Sequence, residues 1–144
     1  MGKTNYKLLL FEIIRYLILS VFLYTTYHKV IDLNTFEESL LRSKLLTDFS
    51  EYIKYLLPFS EILIIILLFV DKYIKIGLYL SLLSLCSFTL YLIAINNFSL
   101  FYGCSCGGIF DTMSFVEHLV VNLILIFLNI LGIFLYDKKN YIKQ

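Results

Sequence analysis

The residues best suited to chemistry are Cys104 and Cys106, which are separated by one serine and flanked by glycines on both sides. Cysteines two positions apart close a small, strained disulfide ring, and strain makes a bridge easier to reduce. The glycines permit positive φ values and the close approach of a partner. The pattern therefore favours thiol–disulfide exchange.

Two other interpretations of the cysteine pair stay open. As a permanent structural bridge, it would belong to a non-catalytic assembly subunit or membrane anchor of a larger complex. As part of a metal site, it would need more soft ligands than two. His118 and His28 are available, but neither has ligand spacing in the sequence, so we assign no metal ligand.

The segment after the cysteines predicts a helix start and a group that moves protons. Ser114 and Glu117 match a capping box, which places the start of a helix at Ser114. His118 and Asn122 are one turn apart on that helix, whereas Glu117 points elsewhere. A histidine there relays protons to or from a thiol or a quinone, or it forms a hydrogen bond between helices. The candidate catalytic residues are Cys104, Cys106, His118 and Glu117.

The elements that position these residues are predicted to be membrane helices. The chain is 60% hydrophobic and 16% charged, whereas soluble domains are about 25% charged. Apolar runs at about 6–27, 53–70, 76–95 and 115–136 each approach the roughly 20 residues that span a bilayer as a helix. We therefore expect an all-α integral membrane four-helix bundle in one domain, residues 1–144. A net charge of +1 gives no case for binding nucleic acid.

The connections between the runs differ in length and character. Residues 30–51 have apolar side chains near helical spacing, which predicts a short amphipathic helix on the membrane surface in the first outer loop. Asn34 or Thr35 is suited to cap it. Residues 71–75 are predicted to form a tight turn, and residues 96–114 a loop that holds the cysteines.

Lysine and arginine distribution predicts the orientation of the helices. One side of the membrane would have Lys3, Lys7, Lys72, Lys75, Lys138, Lys139 and Lys143, and the other Lys29, Arg42, Lys44 and Lys54. The more basic side should be cytoplasmic, which places both termini in the cytoplasm and the cysteine loop on the periplasmic side of a bacterial inner membrane.

Several polar residues fall within the predicted spans, where a charge is costly and suggests function. Glu12 and Arg15 share a helix face and are expected to pair. Glu61 is expected to pair with Lys29 or Arg15, with protonation and proton transfer as the alternatives. Cys86 is expected to be buried and inert.

Aromatic side chains in the spans have two readings. Either they line a quinone pocket or they form the core of the bundle. The residues concerned are Tyr79, Phe88, Tyr91 and Phe101.

Taken together, these residues resemble the MauE/DoxX family of redox-associated membrane proteins. The matching features are Arg15, His28-Lys29, Phe36-Glu37-Glu38, Leu57-Pro58 with Glu61, and Cys-x-Cys-Gly-Gly followed by Ser-Phe-Val-Glu-His-Leu and Asn122. The resemblance covers nearly the whole chain, and the cysteine pair followed by Glu-His-Leu is its most specific part. It implies four helices and a periplasmic thioredoxin-like or client protein as partner. One branch is tied to electron transfer into quinone, and the other to disulfide formation in methylamine dehydrogenase, a substrate that no feature here supports.

The sequence thus predicts a membrane thiol–disulfide redox component. Cys104 and Cys106 would exchange disulfides or electrons with the periplasmic partner, and quinone is the one cofactor that this interpretation admits. The protein would also contact the lipid bilayer, and this interpretation allows it to be a subunit of a larger membrane complex.

Overall fold

The structure, a computed structural model, describes residues 2–42, 50–98 and 113–142. These residues form helices α1 (Gly2–Ile31), α2 (Leu33–Arg42), α3 (Ser50–Phe69), α4 (Ile74–Phe98) and α5 (Phe115–Ile142). The described residues contain no strand. All but α2 are long and apolar enough to cross a membrane. The predicted all-α fold with four spanning helices is confirmed.

The four long helices form a closed bundle. The main contacts run from α1 to α3, from α3 to α4, from α4 to α5, and from α5 back to α1. The bundle has two distinct ends. We call the "turn end" the one where α3 passes to α4 and where α1 begins and α5 finishes. The "loop end" is the opposite one, where α1 meets α2 and where α4 ends and α5 begins.

The helices extend beyond most of the predicted apolar limits. α1 covers residues 2–31 rather than about 6–27, and α5 continues to residue 142 rather than about 136. Apolar runs mark the part of a helix that suits hydrocarbon, whereas hydrogen bonding from residue i to i−4 continues into polar flanks. The apolar limits therefore underestimate helix length.

The amphipathic helix α2 is present, but its predicted cap is wrong. Asp32, rather than Asn34 or Thr35, holds its start, because Asp32 accepts hydrogen bonds from the Thr35 backbone N–H at 3.2 Å and the Thr35 hydroxyl at 2.7 Å. Both hydrogen bonds lower the pKa of Asp32. Phe36 and Leu40 are buried, and α2 contacts α3 and α1. The apolar face of α2 thus covers the loop end of the bundle.

The buried face of α1 shows how the core is built. Phe11, Ile14, Ile18 and Phe22 recur every three or four residues and are almost fully buried. Large apolar side chains on the opposite faces, such as Leu23, stay exposed, as lipid-facing positions require. The same buried face also carries Arg15 near the turn end and Lys29 at the loop end.

The predicted tight turn between α3 and α4 is confirmed. A 3₁₀ turn, Asp71–Tyr73, joins the two helices. Their backbones approach so closely that a Cβ at Gly77 would lie 2.9 Å from the Leu68 backbone nitrogen. Only glycine fits there without displacing the end of α3.

Candidate functional site

A buried ion pair between Lys29 and Glu61 joins α1 to α3 near the loop end. The Lys29 ammonium donates to Glu61 Oε1, and the Thr26 hydroxyl donates to Glu61 Oε2 at 2.9 Å. The side chains of Lys29 and Glu61 are 2% and 1% exposed. This confirms one of the two partners predicted for Glu61.

Aromatic rings enclose the lysine of this pair. Lys29 Nζ lies 4.7 Å from the centre of the Phe88 ring on α4 and 5.9 Å from that of Phe36 on α2. A ring face attracts a cation, and more strongly where water is excluded. Two apolar walls therefore stabilise a charge that the bilayer alone would oppose.

A cavity of about 40 Å³ lies beside the ion pair, between the helices. All four long helices line it, with residues Val21, Phe22, Thr25, Lys29, Glu61, Leu85, Phe88, His118, Asn122 and Leu125. His118 and Asn122 are both buried, at 6% exposure each. The Asn122 Nδ2 has no hydrogen-bond partner among the described residues. An unpaired buried donor costs about 1–3 kcal/mol, so this cavity contains an unused hydrogen-bonding group.

The predicted capping box fixes the start of α5 beside the cavity. The Ser114 backbone N–H and hydroxyl donate to Glu117 Oε2 at 2.8 and 2.9 Å, and the Glu117 N–H approaches Ser114 Oγ at 3.4 Å. Glu117 is exposed and does not line the cavity, whereas His118 turns inward. Of the two proton-transfer candidates, only His118 joins the buried cluster.

Other predicted site residues are placed less centrally or lie elsewhere. Cys104, Cys106 and Phe101 lie outside the described residues. Cys86 is half-buried rather than buried, because the buried face of α4 passes through Leu85 and leaves Cys86 at its edge.

Three of the aromatic residues considered for a quinone pocket, Tyr79, Phe88 and Tyr91, belong to the described part of the chain. Phe88 lines the cavity, but Tyr79 and Tyr91 do not, and Tyr79 is 49% exposed. His28 contacts the rings of Tyr24 and Tyr27. Among the described residues, no three His, Cys, Asp or Glu side chains are grouped as metal ligands would be.

The role of Arg15 at the turn end was not predicted. Its Nε and Nη2 donate to the backbone carbonyls of Leu68 and Phe69, each at 2.7 Å, and Nη1 lies 2.9 Å from Asp71 and 3.2 Å from the expected partner Glu12. Arg15 therefore caps the C-terminus of α3. One feature of the sequence indicates this role. The last turn of α3 has no basic residue of its own that could bond to its final carbonyls.

Comparison with known proteins identifies the family. The family model described as methylamine utilisation protein MauE matches residues 7–135. Neither the search of curated proteins nor that of solved structures found a match. Because the family model covers most of the chain, the protein belongs to the MauE family of membrane proteins.

Proposed function

We propose that this member of the MauE family is a membrane thiol–disulfide redox component that works through Cys104 and Cys106. The order of the helices along the chain supports this proposal. The two cysteines lie in the segment that joins α4 to α5 at the loop end, where the buried cluster of Lys29, Glu61 and His118 lies. We therefore propose that the reactive pair and the buried titratable group work at the same end of the bundle.

The proposed reaction is an exchange of two electrons and two protons. A thiolate of the pair attacks a disulfide sulfur of a periplasmic thioredoxin-like or client protein, which forms a mixed disulfide and releases one partner thiolate. The second cysteine attacks the mixed disulfide, which closes the Cys104–Cys106 bridge and releases the other thiolate. Both partner thiolates take up the protons that the cysteine thiols lost. The reverse sequence oxidises the partner.

His118 is proposed as the group that holds a proton between these steps. Its position in the first turn of α5 and its burial beside Lys29 and Glu61 support this role. We propose a positioning role for Glu117, because its carboxylate accepts hydrogen bonds from Ser114. In that role Glu117 fixes the start of α5 and with it the place of His118.

The proposed orientation puts the loop end at the periplasmic side and both termini in the cytoplasm. Burial of Lys29 supports it, since that lysine belongs to the interior of the bundle and not to a flank. The basic flanks then belong more clearly to the turn end. A thiol–disulfide pair at the loop end would face an oxidising compartment.

Quinone is the proposed alternative electron acceptor, in which case it would take two electrons and two protons from the dithiol to become a quinol. A cavity that holds a benzene ring is about 150 Å³, whereas the cavity beside Lys29 is about 40 Å³. We therefore propose that a quinone would react at the lipid-facing side of the bundle rather than inside it.

Trapping the mixed disulfide tests this function. We expect Cys104→Ser or Cys106→Ser, whichever replaces the resolving cysteine, to accumulate a covalent adduct with a periplasmic thiol protein in cells. The adduct would be resolved on non-reducing gels and identified by mass spectrometry. The double variant should form no adduct.

Cys86→Ser is the matched control, because Cys86 lies within α4, away from the loop. It should behave like the unaltered protein. If the double cysteine variant kept full function in cells and neither single variant formed an adduct, the proposal would be wrong. The chain would then be better described as an assembly subunit with a permanent bridge.

A further inference from the structure

The cavity at the loop end combines open volume with a hydrogen-bond donor that none of the described residues accepts from. Asn122 is 6% exposed, and its Nδ2 has no partner among the described residues. Asn129, two turns further along α5, lies outside this cavity: its Nδ2 donates to Ser81 Oγ at 2.6 Å, and its Oδ1 is the atom that no described residue pairs. An unpaired N–H in the interior of a membrane bundle is costly. Asn122 therefore requires an acceptor that the described residues do not supply.

The volume of the cavity decides which acceptor fits. One water molecule needs about 10–15 Å³ of cavity volume, and a benzene-sized ligand needs about 150 Å³. The observed 40 Å³ thus has room for about three water molecules but not for an aromatic ring. A buried water also needs two to four polar partners. Thr25, Glu61 and His118 line the same cavity as Asn122 and supply them.

We propose that this cavity holds a small cluster of water molecules that accepts a hydrogen bond from Asn122 and connects His118 on α5 with Glu61 on α3. The titratable groups facing the cluster are Lys29, Glu61 and His118, whereas α4 contributes only Leu85 and Phe88.

The role of the water cluster rests on the proposed function. When His118 holds a proton released by a cysteine thiol, the water-bridged Glu61 carboxylate stabilises the imidazolium. The proton then returns to the departing thiolate, so the cluster is not consumed. Asn122 is a positioning residue in this scheme, because it orders the water rather than the reacting sulfur atoms.

Hydroxyl-radical labelling by pulsed X-rays tests the presence of the water directly. The radicals form from water in place, so a buried side chain is modified only where water lies next to it. Phe22 lines the cavity and Phe11 does not, although both are buried on α1, at 4% and 1% exposure. In nanodiscs we expect Phe22 to be modified about tenfold faster than Phe11. Equal rates would mean that the cavity is dry and would overturn the proposal.

Variants of two asparagines on the same helix provide the control. Asn122→Leu removes the donor and fills the cavity, so it should reduce the labelling of Phe22 to the level of Phe11. Asn129→Leu should leave the labelling of Phe22 unchanged. Asn122→Ser enlarges the cavity and keeps a polar group, so it should maintain or raise the labelling, which keeps the test open if Asn122→Leu fails to fold.

The role in proton handling is tested by the rate at which dithiothreitol reduces the Cys104–Cys106 bridge across a pH series. Asn122→Leu should slow reduction about tenfold and change its pH profile, whereas Asn129→Leu should not. If Asn122→Leu removed the water from the cavity but left the rate and the pH profile of bridge reduction unchanged, the proposed role of the water would be wrong. Failure of the proposed function is separate, since a bridge that no thiol reduces would contradict that function even where Phe22 labelling shows water.

Discussion

Arg15 and Lys29 lie on the same buried face of α1, about 21 Å apart along its axis at 1.5 Å per residue. Arg15 donates to the carbonyls of Leu68 and Phe69 and pairs with two carboxylates. Lys29 pairs with Glu61 and lies beside two aromatic rings and a cavity. Both cations tie α1 to α3, and the second also lines a cavity.

This comparison distinguishes Arg15, whose charge has a structural role, from Lys29, whose charge belongs to the candidate functional site. At the turn end, an arginine fork matches the two carbonyls that the end of a helix leaves without partners. At the loop end, the Asn122 Nδ2 makes no hydrogen bond to a described residue, and it lines a cavity that all four long helices share. Buried polar groups that do more than stabilise the bundle are therefore expected at the loop end.

The largest effect is expected from breaking the Lys29–Glu61 pair. Lys29→Met leaves the Glu61 carboxylate buried without its cation, which should cost about 3–5 kcal/mol of unfolding free energy. The double variant Lys29→Met/Glu61→Met removes both charges and should recover most of that loss. Unfolding in mixed detergent micelles measures both. A single variant that costs less than about 1 kcal/mol would place this pair among weak exposed ion pairs.

A smaller loss of unfolding free energy is expected from a substitution at the turn end, with no change in the reduction of the cysteine bridge. Arg15→Met leaves the last two carbonyls of α3 uncapped and should cost about 3 kcal/mol, the lower end for two hydrogen bonds to a charged group at about 1.5–3 kcal/mol each, because the neighbouring Asp71 is exposed and water can partly replace the guanidinium. The rate and pH profile of reduction of the cysteine bridge should not change in the folded variant. Arg15→Lys is the control that keeps the charge but loses the fork. A changed pH profile in Arg15→Met would erase the distinction between the two ends.

The capping box at the start of α5 allows the roles of neighbouring residues to be separated. Ser114→Ala should cost about 1 kcal/mol through loss of the helix cap. Glu117→Gln keeps a capping side chain and should leave the rate of bridge reduction unchanged. His118→Ala should slow it about a hundredfold. If Glu117→Gln slowed the reaction as much as His118→Ala, Glu117 would be a proton-transfer residue rather than a positioning one.

How far the sequence predicted this arrangement depended on the range of each interaction. Apolar runs predicted the four spans, and the local pattern of Ser114 and Glu117 predicted the start of α5. The role of Arg15 depends on carbonyls more than fifty residues away, which no local pattern encodes. Helical spacing predicted that His118 and Asn122 share one face of α5, but the direction of that face and the cavity beside it depend on how four helices meet.

The smallest effect is expected at Asp32, where α2 begins beside the loop end. Hydrogen bonds from Thr35 lower the pKa of Asp32 below its ordinary value of 3.8. The stabilisation is therefore fully present above that value and is lost as pH falls through the lower pKa of the folded state. Hydrogen exchange of the amides of residues 33–42 should show weaker protection in that acidic range. Asp32→Ala, which has no capping oxygen, should be weakly protected at any pH, and no change with pH in the unaltered protein would contradict the assignment of the cap.

The reduction potential of the Cys104–Cys106 pair tests the central claim most directly. It is measured in nanodiscs by thiol labelling across a series of glutathione buffers, with Cys86→Ser as the background so that only the pair is read. The account predicts a midpoint above roughly −230 mV, in the range of labile exchange disulfides. A midpoint below about −300 mV would mark a structural bridge and contradict the proposed redox function.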